Sequence, residues 1–136
     1  MSENAQATSS QVYTEGQIRT TMERSRATLL SYLLKLNKCI DAQHNDLAQA
    51  IVSRFNEILI DYISYGHFRL LETCAPLAHQ QAAIEKSTQQ ALQFSDRYTT
   101  RGELPLGKLK FDLEALVIAL EVRFDIEDEV VAGVSA

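Results

Sequence analysis

The stretch that decides the fold is Asp61-Tyr-Ile-Ser-Tyr-Gly-His-Phe68, which closes the most regular amphipathic run of the chain. Apolar side chains recur up to and into it at three- and four-residue intervals: Leu47, Ile51, Phe55, Ile58, Leu59, Tyr62 and Ile63. That spacing places them on one face of a helix. Gly66, which takes a positive φ most easily, is predicted to end this helix in a left-handed cap. His67 would then cap the last carbonyls, and Phe68 would either anchor the turn or face a partner.

The same octapeptide resembles the D-Y-[LIV]-S-x-G-H-F signature of the Rsd/AlgQ family, bacterial anti-sigma factors that bind the primary sigma factor of RNA polymerase. A second block, Glu114 to Val131, contains L-E-V-R-F-D-I-E-D and resembles the closing helix of that family, whose core reads L-E-x-R-F-x-x-E-D. Ser87-Thr-Gln-Gln90 is similar to an N-T-Q-Q in the family. The resemblance runs from about Arg19 to Val131 in the family's order, which makes chance agreement improbable.

A chain of 136 residues is sized for one domain, and its low Pro and Gly content favours a helical, globular protein. We expect a flexible tail over residues 1–13 and a single domain over 14–136. The predicted elements are a first helix from Thr14 to about Asn37, a second from an N-cap at Asn45 or Asp46 to Gly66, a short piece over His67–Cys74, a helix over Leu77–Thr100, a loop over Arg101–Gly107 and a last helix from Leu109. These elements predict an all-α, antiparallel four-helix bundle with a short extra helix after the second long one.

The net charge of −5 is concentrated at the end of the chain. From Glu103 onward there are eight acids and three bases, whereas the acids and bases before that point cancel. Direct binding to nucleic acid is therefore disfavoured, because phosphate contacts need the opposite sign. A basic partner is favoured.

The sequence lacks the residue spacings that common catalytic and metal-binding sites require. Cys39 and Cys74 have no metal-ligand spacing and are expected to be reduced, and the three histidines His44, His67 and His79 form no Glu-x-x-His pair. The sequence has no Gly-rich phosphate loop, nucleophile elbow or CxxC. We therefore expect no enzymatic activity, no cofactor and no metal. Residues 1–11 contain neither a signal peptide nor a membrane span, so we expect a cytoplasmic protein, and we expect it to be a monomer.

The resemblance also implies which residues meet the partner. Asp61, Ser64 and Phe68 match the signature and are expected to contact the C-terminal, −35-recognising domain of the sigma factor, with Tyr65 and His67 beside them. Four residues of the last helix form a second predicted group: Glu121, Arg123, Glu127 and Asp128. Two alternatives stay open, since Arg123 could instead pair internally with Glu127 one turn later, and Asp61 could cap locally or pair with Arg54 or Arg69.

The function implied by the resemblance is an anti-sigma factor that blocks the promoter and polymerase contacts of the primary sigma factor. The runner-up is a protein-binding module for a phosphocarrier protein or a stress-nucleotide enzyme. A helical scaffold without any sigma contact is a third reading.

Overall fold

The computed structural model describes residues 15–99 and 102–133, and this part of the chain folds as an all-α bundle. Its elements are α1 (Glu15–Asp41), α2 (Asn45–Arg69), a π-helical turn (Leu70–Cys74), α3 (Ala78–Arg97) and α4 (Leu106–Ala132). No strand occurs among the described residues. The predicted all-α helical bundle is confirmed, whereas the predicted tail over residues 1–13 lies outside the described residues.

Neighbouring helices of the bundle run antiparallel. A short connection over residues 42–44 reverses the chain between α1 and α2, while α3 ends at Arg97 and α4 begins at Leu106. Along the seam of α1 and α4, Arg26 bonds to Asp128 late in α4 (2.9 Å). At the other end of the same seam, Asp41 pairs with Lys110 early in α4. The two contacts run in opposite chain directions, which establishes the antiparallel arrangement for this pair.

The apolar core is divided into two clusters. The larger holds most of the buried Leu, Ile and aromatic side chains, including Leu29, Leu33, Phe55, Leu59, Ala91, Phe94, Leu113 and Leu120. The smaller lies toward the opposite end of the bundle and contains Ile18, Met22, Leu70, Ile84, Val130 and Val131. Each of the four helices contributes side chains to both clusters, and polar or small residues lie between its two contributions. A polar layer therefore crosses the bundle between the two clusters.

The end of α2 differs from the prediction. Gly66 is helical and buried, and α2 continues through it to Arg69 and then into the π-helical turn. The chain leaves the helix at Ala75, whose φ of 48° lies in the left-handed region, immediately before Pro76. The predicted left-handed cap at Gly66 is thus wrong. The absence of a side chain at Gly66 serves a close packing contact, described below, and proline stops the helix later on because it cannot continue it.

The start of α2 also differs by one residue. The N-cap is His44, whose Nδ1 accepts a hydrogen bond from the Leu47 N–H (3.4 Å). Asn45, one of the two predicted caps, instead bonds across the bundle to the connection between α3 and α4. Its Nδ2 donates to the Leu104 carbonyl (2.9 Å) and its Oδ1 accepts from the Leu104 N–H (3.0 Å). These two bonds hold the loop against the start of α2.

Candidate partner-binding surface

One side of α2 is exposed along the whole helix. Its members are spaced three or four residues apart and are all exposed: Asp46, Ala50, Ser53, Glu57, Asp61, Ser64 and Phe68. We call this set the α2 outer stripe. At 1.5 Å per residue it is about 33 Å long. Asp61, Ser64 and Phe68 form its C-terminal third, so the three residues carried over from the signature share one accessible surface.

Phe68 is exposed to 59%, which excludes the alternative in which its ring anchors the turn from below. The His67 ring meets it edge to face, with 5.6 Å between centroids. Among the described residues, the Asp61 carboxylate has no hydrogen bond or ion pair, and Arg54 pairs with Glu57 instead (2.7 Å). The proposed ion pair of Asp61 with Arg54 is therefore absent from the structure. Asp61 and Phe68 are both accessible to another molecule.

The opposite side of the same segment is buried. Tyr62, Ile63 and Gly66 are each at most slightly exposed and face the other helices. Tyr65 and His67 lie between the two sides and are half-buried; Tyr65 packs against the smaller cluster. Along the octapeptide, buried residues that hold the bundle together therefore alternate with residues that are exposed to solvent.

Glu127 is the centre of the polar layer, and its side chain is completely buried. One carboxylate oxygen accepts from Arg123 Nε (2.8 Å). The other accepts from Arg26 Nη2 (3.1 Å) and from the Tyr62 hydroxyl. Because each oxygen has a cationic donor, the buried negative charge is neutralised and its hydrogen-bonding capacity is largely used.

Arg123 is also completely buried, and it connects α4 to α3. Its Nη1 donates to Ser87 Oγ (3.0 Å), to Thr88 Oγ1 (2.8 Å) and to the carbonyl of Ile84 (3.1 Å). Three regions that resemble the Rsd/AlgQ family therefore meet in one network: the octapeptide through Tyr62, the Ser-Thr-Gln-Gln segment, and the closing helix.

Arg26 closes the network from α1. Its Nε donates to the Tyr62 hydroxyl (2.9 Å) and its Nη1 to Asp128 (2.9 Å). Burial alone would lower the pKa of Arg26, but its bonds to Tyr62, Asp128 and Glu127 outweigh that effect and raise the pKa. Burial, reinforced by the neighbouring Glu127 carboxylate, raises the pKa of Tyr62, so its hydroxyl remains a donor.

Gly66 lets α2 approach this network closely. A Cβ built on Gly66 would lie 3.0 Å from Arg123 Nη2 and 3.0 Å from Glu127 Oε2. Both atoms belong to side-chain groups that the bonds just described hold in place, so any side chain at this position would press on the buried ion pair. The glycine is required for close approach rather than for a turn.

The residues predicted on the last helix divide into two kinds. Arg123 and Glu127 are fully buried and form the internal ion pair that was the open alternative, so neither side chain is accessible at the surface of the bundle. Glu121 is exposed. Asp128 is half-buried and bonded to Arg26 on the seam of α1 and α4. Asp61 lies instead beside α3 residues, Ser95 and Thr99 among them, in a groove that α2 and α3 share.

Arg26 was not among the site residues predicted from the sequence. A signal was present. The buried positions of α1 include Met22 and Leu29, seven residues apart, and residue 26 lies between them at helical spacing. A cation at that place in an apolar stripe indicates a buried partner of opposite charge elsewhere in the chain.

Two further features bear on the kind of site that the bundle offers. Among the described residues, no group of three or more His, Cys, Asp or Glu side chains could hold a metal ion, and Cys39 and Cys74 are free thiols. No helix in the described ranges combines the length and apolar character needed to cross a bilayer.

The fold and the α2 outer stripe define an all-α bundle with an accessible row of polar and aromatic side chains along one helix. The particular family follows from comparison: the family described as "Regulator of RNA polymerase sigma(70) subunit, Rsd/AlgQ" matches residues 1–135, and the chain belongs to it. Searches of the curated proteins and of the solved structures found no significant match. The predicted family is confirmed, and with it a role in transcription regulation through the sigma(70) subunit.

Proposed function

We propose that this protein is an anti-sigma factor that binds the C-terminal domain of the primary sigma factor and occludes its promoter and polymerase contacts in the cytoplasm. The observation that carries the proposal is the shared exposure of Asp61, Ser64 and Phe68 on one face of α2. An acceptor, a hydroxyl and an aromatic ring within about two helical turns match the composition of a compact protein-binding surface.

The expected chemistry on the partner side is basic and helical. A DNA-recognising helix-turn-helix domain is held on its promoter largely through Arg and Lys contacts to phosphates. Carboxylates on this protein can pair with those cations, in bidentate fashion where the cation is arginine. The net charge of −5 and the acidic α4 would attract such a domain from a distance. Binding and DNA contact would then be mutually exclusive.

The first test is titration calorimetry of the protein with the isolated C-terminal sigma domain at low salt. Phe68→Ala is expected to weaken binding by roughly thirtyfold, the loss typical of a central aromatic contact of about 2 kcal/mol. Asp61→Ala is expected to weaken it by roughly tenfold or more, since it removes a charge from the contact. A wild-type protein that fails to bind this domain would refute the proposal.

Matched controls are available on the same bundle. Phe111 is even more exposed than Phe68, at 72%, and Asp96 is an exposed acid on α3. Phe111→Ala and Asp96→Ala should leave the affinity within about twofold, because surface positions outside the contact contribute little. If they weaken binding as much as Phe68→Ala and Asp61→Ala do, the contact does not lie on α2.

Salt dependence provides a second, independent test. Stopped-flow association of the protein with the sigma domain should slow as ionic strength rises, because exposed charges are screened over a Debye length of about 8 Å at physiological salt. The dissociation rate should change much less. Association that does not depend on salt would contradict the electrostatic part of the proposal.

A further inference from the structure

The outer side of α4 carries apolar side chains where a solvated helix face is normally polar. Phe111, Ile118 and Val122 are exposed to 72%, 64% and 53%. Ala115 between them is also exposed. Because these residues recur at three- and four-residue intervals, they form one row about 17 Å long, which we call the α4 outer stripe.

Two leucines of α1 widen this apolar surface. Leu30 and Leu34 are exposed to 43% and 59%. They lie at helical spacing between Arg26 and Asp41, whose ion pairs join α1 to α4. The antiparallel register of those pairs places Leu34 beside the middle of the α4 outer stripe. Of the nine large apolar side chains that are exposed in the described part of the chain, five belong to this surface, the α1–α4 patch: Leu30, Leu34, Phe111, Ile118 and Val122.

The α1–α4 patch is separate from the surface proposed to bind the sigma factor. Both α1 and α3 pack against α2 and against α4, so α2 and α4 occupy opposite corners of the bundle. A domain seated on the α2 outer stripe would leave the patch open to solvent. Single exposed apolar side chains are ordinary, but a contiguous set is typical of a surface that another molecule covers.

An acidic edge borders the patch. Glu114, Glu121 and Asp125 are exposed, and they continue the row that Lys110 and Asp128 begin and end where those two residues bond to α1. The bases of α4 that reach its surface lie at its N-terminal end. Most of the patch therefore combines an apolar row with negative charge along one side.

This combination of charge and shape selects among possible occupants. An anionic membrane surface attracts faces flanked by Lys and Arg, so the acidic edge disfavours it. A second copy of the chain is also disfavoured, because like edges meet when two identical helices pack antiparallel, and Glu114 of one copy would face Glu121 of the other. A helix with apolar residues at the same spacing and basic residues beside them satisfies both features.

We propose that the α1–α4 patch binds a basic amphipathic helix of a partner protein. The apolar side of that helix packs on Leu34, Phe111 and Ile118, and its Lys and Arg side chains pair with Glu114 and Glu121. This contact is independent of the contact proposed for the sigma factor, since the two lie at opposite corners of the bundle. The protein could then hold two partners at once.

The probe for a test is a synthetic peptide of about 18 residues, or five helical turns, with Leu and one Trp on one side and Lys on the other. The chain has no tryptophan, so the tryptophan emission of a mixture comes from the peptide alone. Binding should shift that emission to shorter wavelength as the indole leaves water. Two matched peptides, one with Glu in place of Lys and one with the same residues shuffled so that no apolar side forms, should bind at least roughly tenfold more weakly.

Variants of the protein locate the binding site. Ile118→Lys should weaken binding of the Leu/Lys peptide by roughly tenfold or more, and Leu34→Lys and Glu121→Gln should each weaken it several-fold. Leu92→Lys is the matched control for the added charge, because Leu92 is exposed to 45% on α3, and Glu85→Gln is the control for the lost acid. Both controls should bind within about twofold of the wild type. Circular dichroism checks that each variant is folded.

Several results would overturn the proposal. They are a wild type that does not bind the Leu/Lys peptide, equal binding of the Glu-containing peptide, and equal weakening by Ile118→Lys and Leu92→Lys. Light scattering that shows a wild-type dimer and a monomeric Ile118→Lys protein would assign the patch to a second copy. Cosedimentation with phosphatidylglycerol vesicles that is lost in Ile118→Lys would assign it to a membrane. None of these measurements uses the sigma factor, so they leave the proposed function standing or failing on its own tests.

Discussion

Replacing Glu127 with glutamine should destabilise the protein strongly, although the side chain keeps its size. The wild-type carboxylate is completely buried and accepts from Arg123 (2.8 Å), Arg26 (3.1 Å) and Tyr62. A glutamine amide has one acceptor oxygen, and its NH₂ group must face either Arg123 or the pair formed by Arg26 and Tyr62. One donor group is then opposed by another donor, and the buried Arg123 guanidinium loses its counter-charge.

The magnitude follows from the burial of both partners. Breaking a buried ion pair by removing one charge costs about 3–5 kcal/mol. A domain of this kind has a total stability of about 5–15 kcal/mol, so the variant should lose about a fifth of it or more. For a chain of this length the melting temperature should fall by roughly 10–20 °C.

Urea unfolding followed by far-ultraviolet circular dichroism is the suitable assay, because the chain is helical and has no tryptophan for fluorescence. The midpoint should fall while the slope with denaturant stays constant. Glu129→Gln is the matched control, since Glu129 is an exposed acid on the same helix and its replacement should change stability by less than about 0.5 kcal/mol.

A loss below about 1 kcal/mol for Glu127→Gln would refute the view that the ion pair is desolvated and needed as a pair. A second comparison sharpens the test. Replacing Arg123 and Glu127 together with methionine should cost less than the sum of the two single replacements, since neither charge is then left buried alone. Additive losses would show that the two residues act independently.

Three further predictions concern stability. Gly66→Ala should lower the free energy of unfolding by about 1–2 kcal/mol, because crowding of the buried ion pair outweighs alanine's better helix propensity of about 1 kcal/mol. Chemical denaturation measures this change. A stabilised variant would contradict the close contact at Gly66. Asn45→Ala should cost about 1–2 kcal/mol and increase hydrogen exchange in the connection between α3 and α4, because both bonds to that connection are lost. Burial would raise the pKa of Asp112, but hydrogen bonds from Tyr98 and Arg97 outweigh burial and lower the pKa. The ionised Asp112 therefore stabilises the fold above the unfolded pKa of 3.8, and this stabilisation is lost as the pH falls through the lower pKa of the folded state. Asp112→Asn should therefore lose less stability than the wild type between about pH 5 and pH 2 in urea titrations, and equal losses would contradict that role.

The sequence by itself determined the helices, their packing as a bundle and the family. These features depend on local patterns. Apolar residues at three- and four-residue intervals indicate which side of a helix is buried, and the same periodicity leaves Asp61 and Ser64 on the other side. Phe68 was expected beyond the end of the helix, and it shares that face only because α2 continues to Arg69. The partner-binding role of those three residues stays a prediction.

Tertiary structure alone decided which polar residues are buried. The sequence left partner contact and an internal ion pair open for Arg123 and Glu127, and it predicted Gly66 as the end of a helix. The structure shows that α1, α2 and α3 bring Arg26, Tyr62 and Ser87 around the pair. The physical reason is that a charge can be buried only where partners from distant parts of the chain replace its water. Helical periodicity within one segment carries no information about those partners.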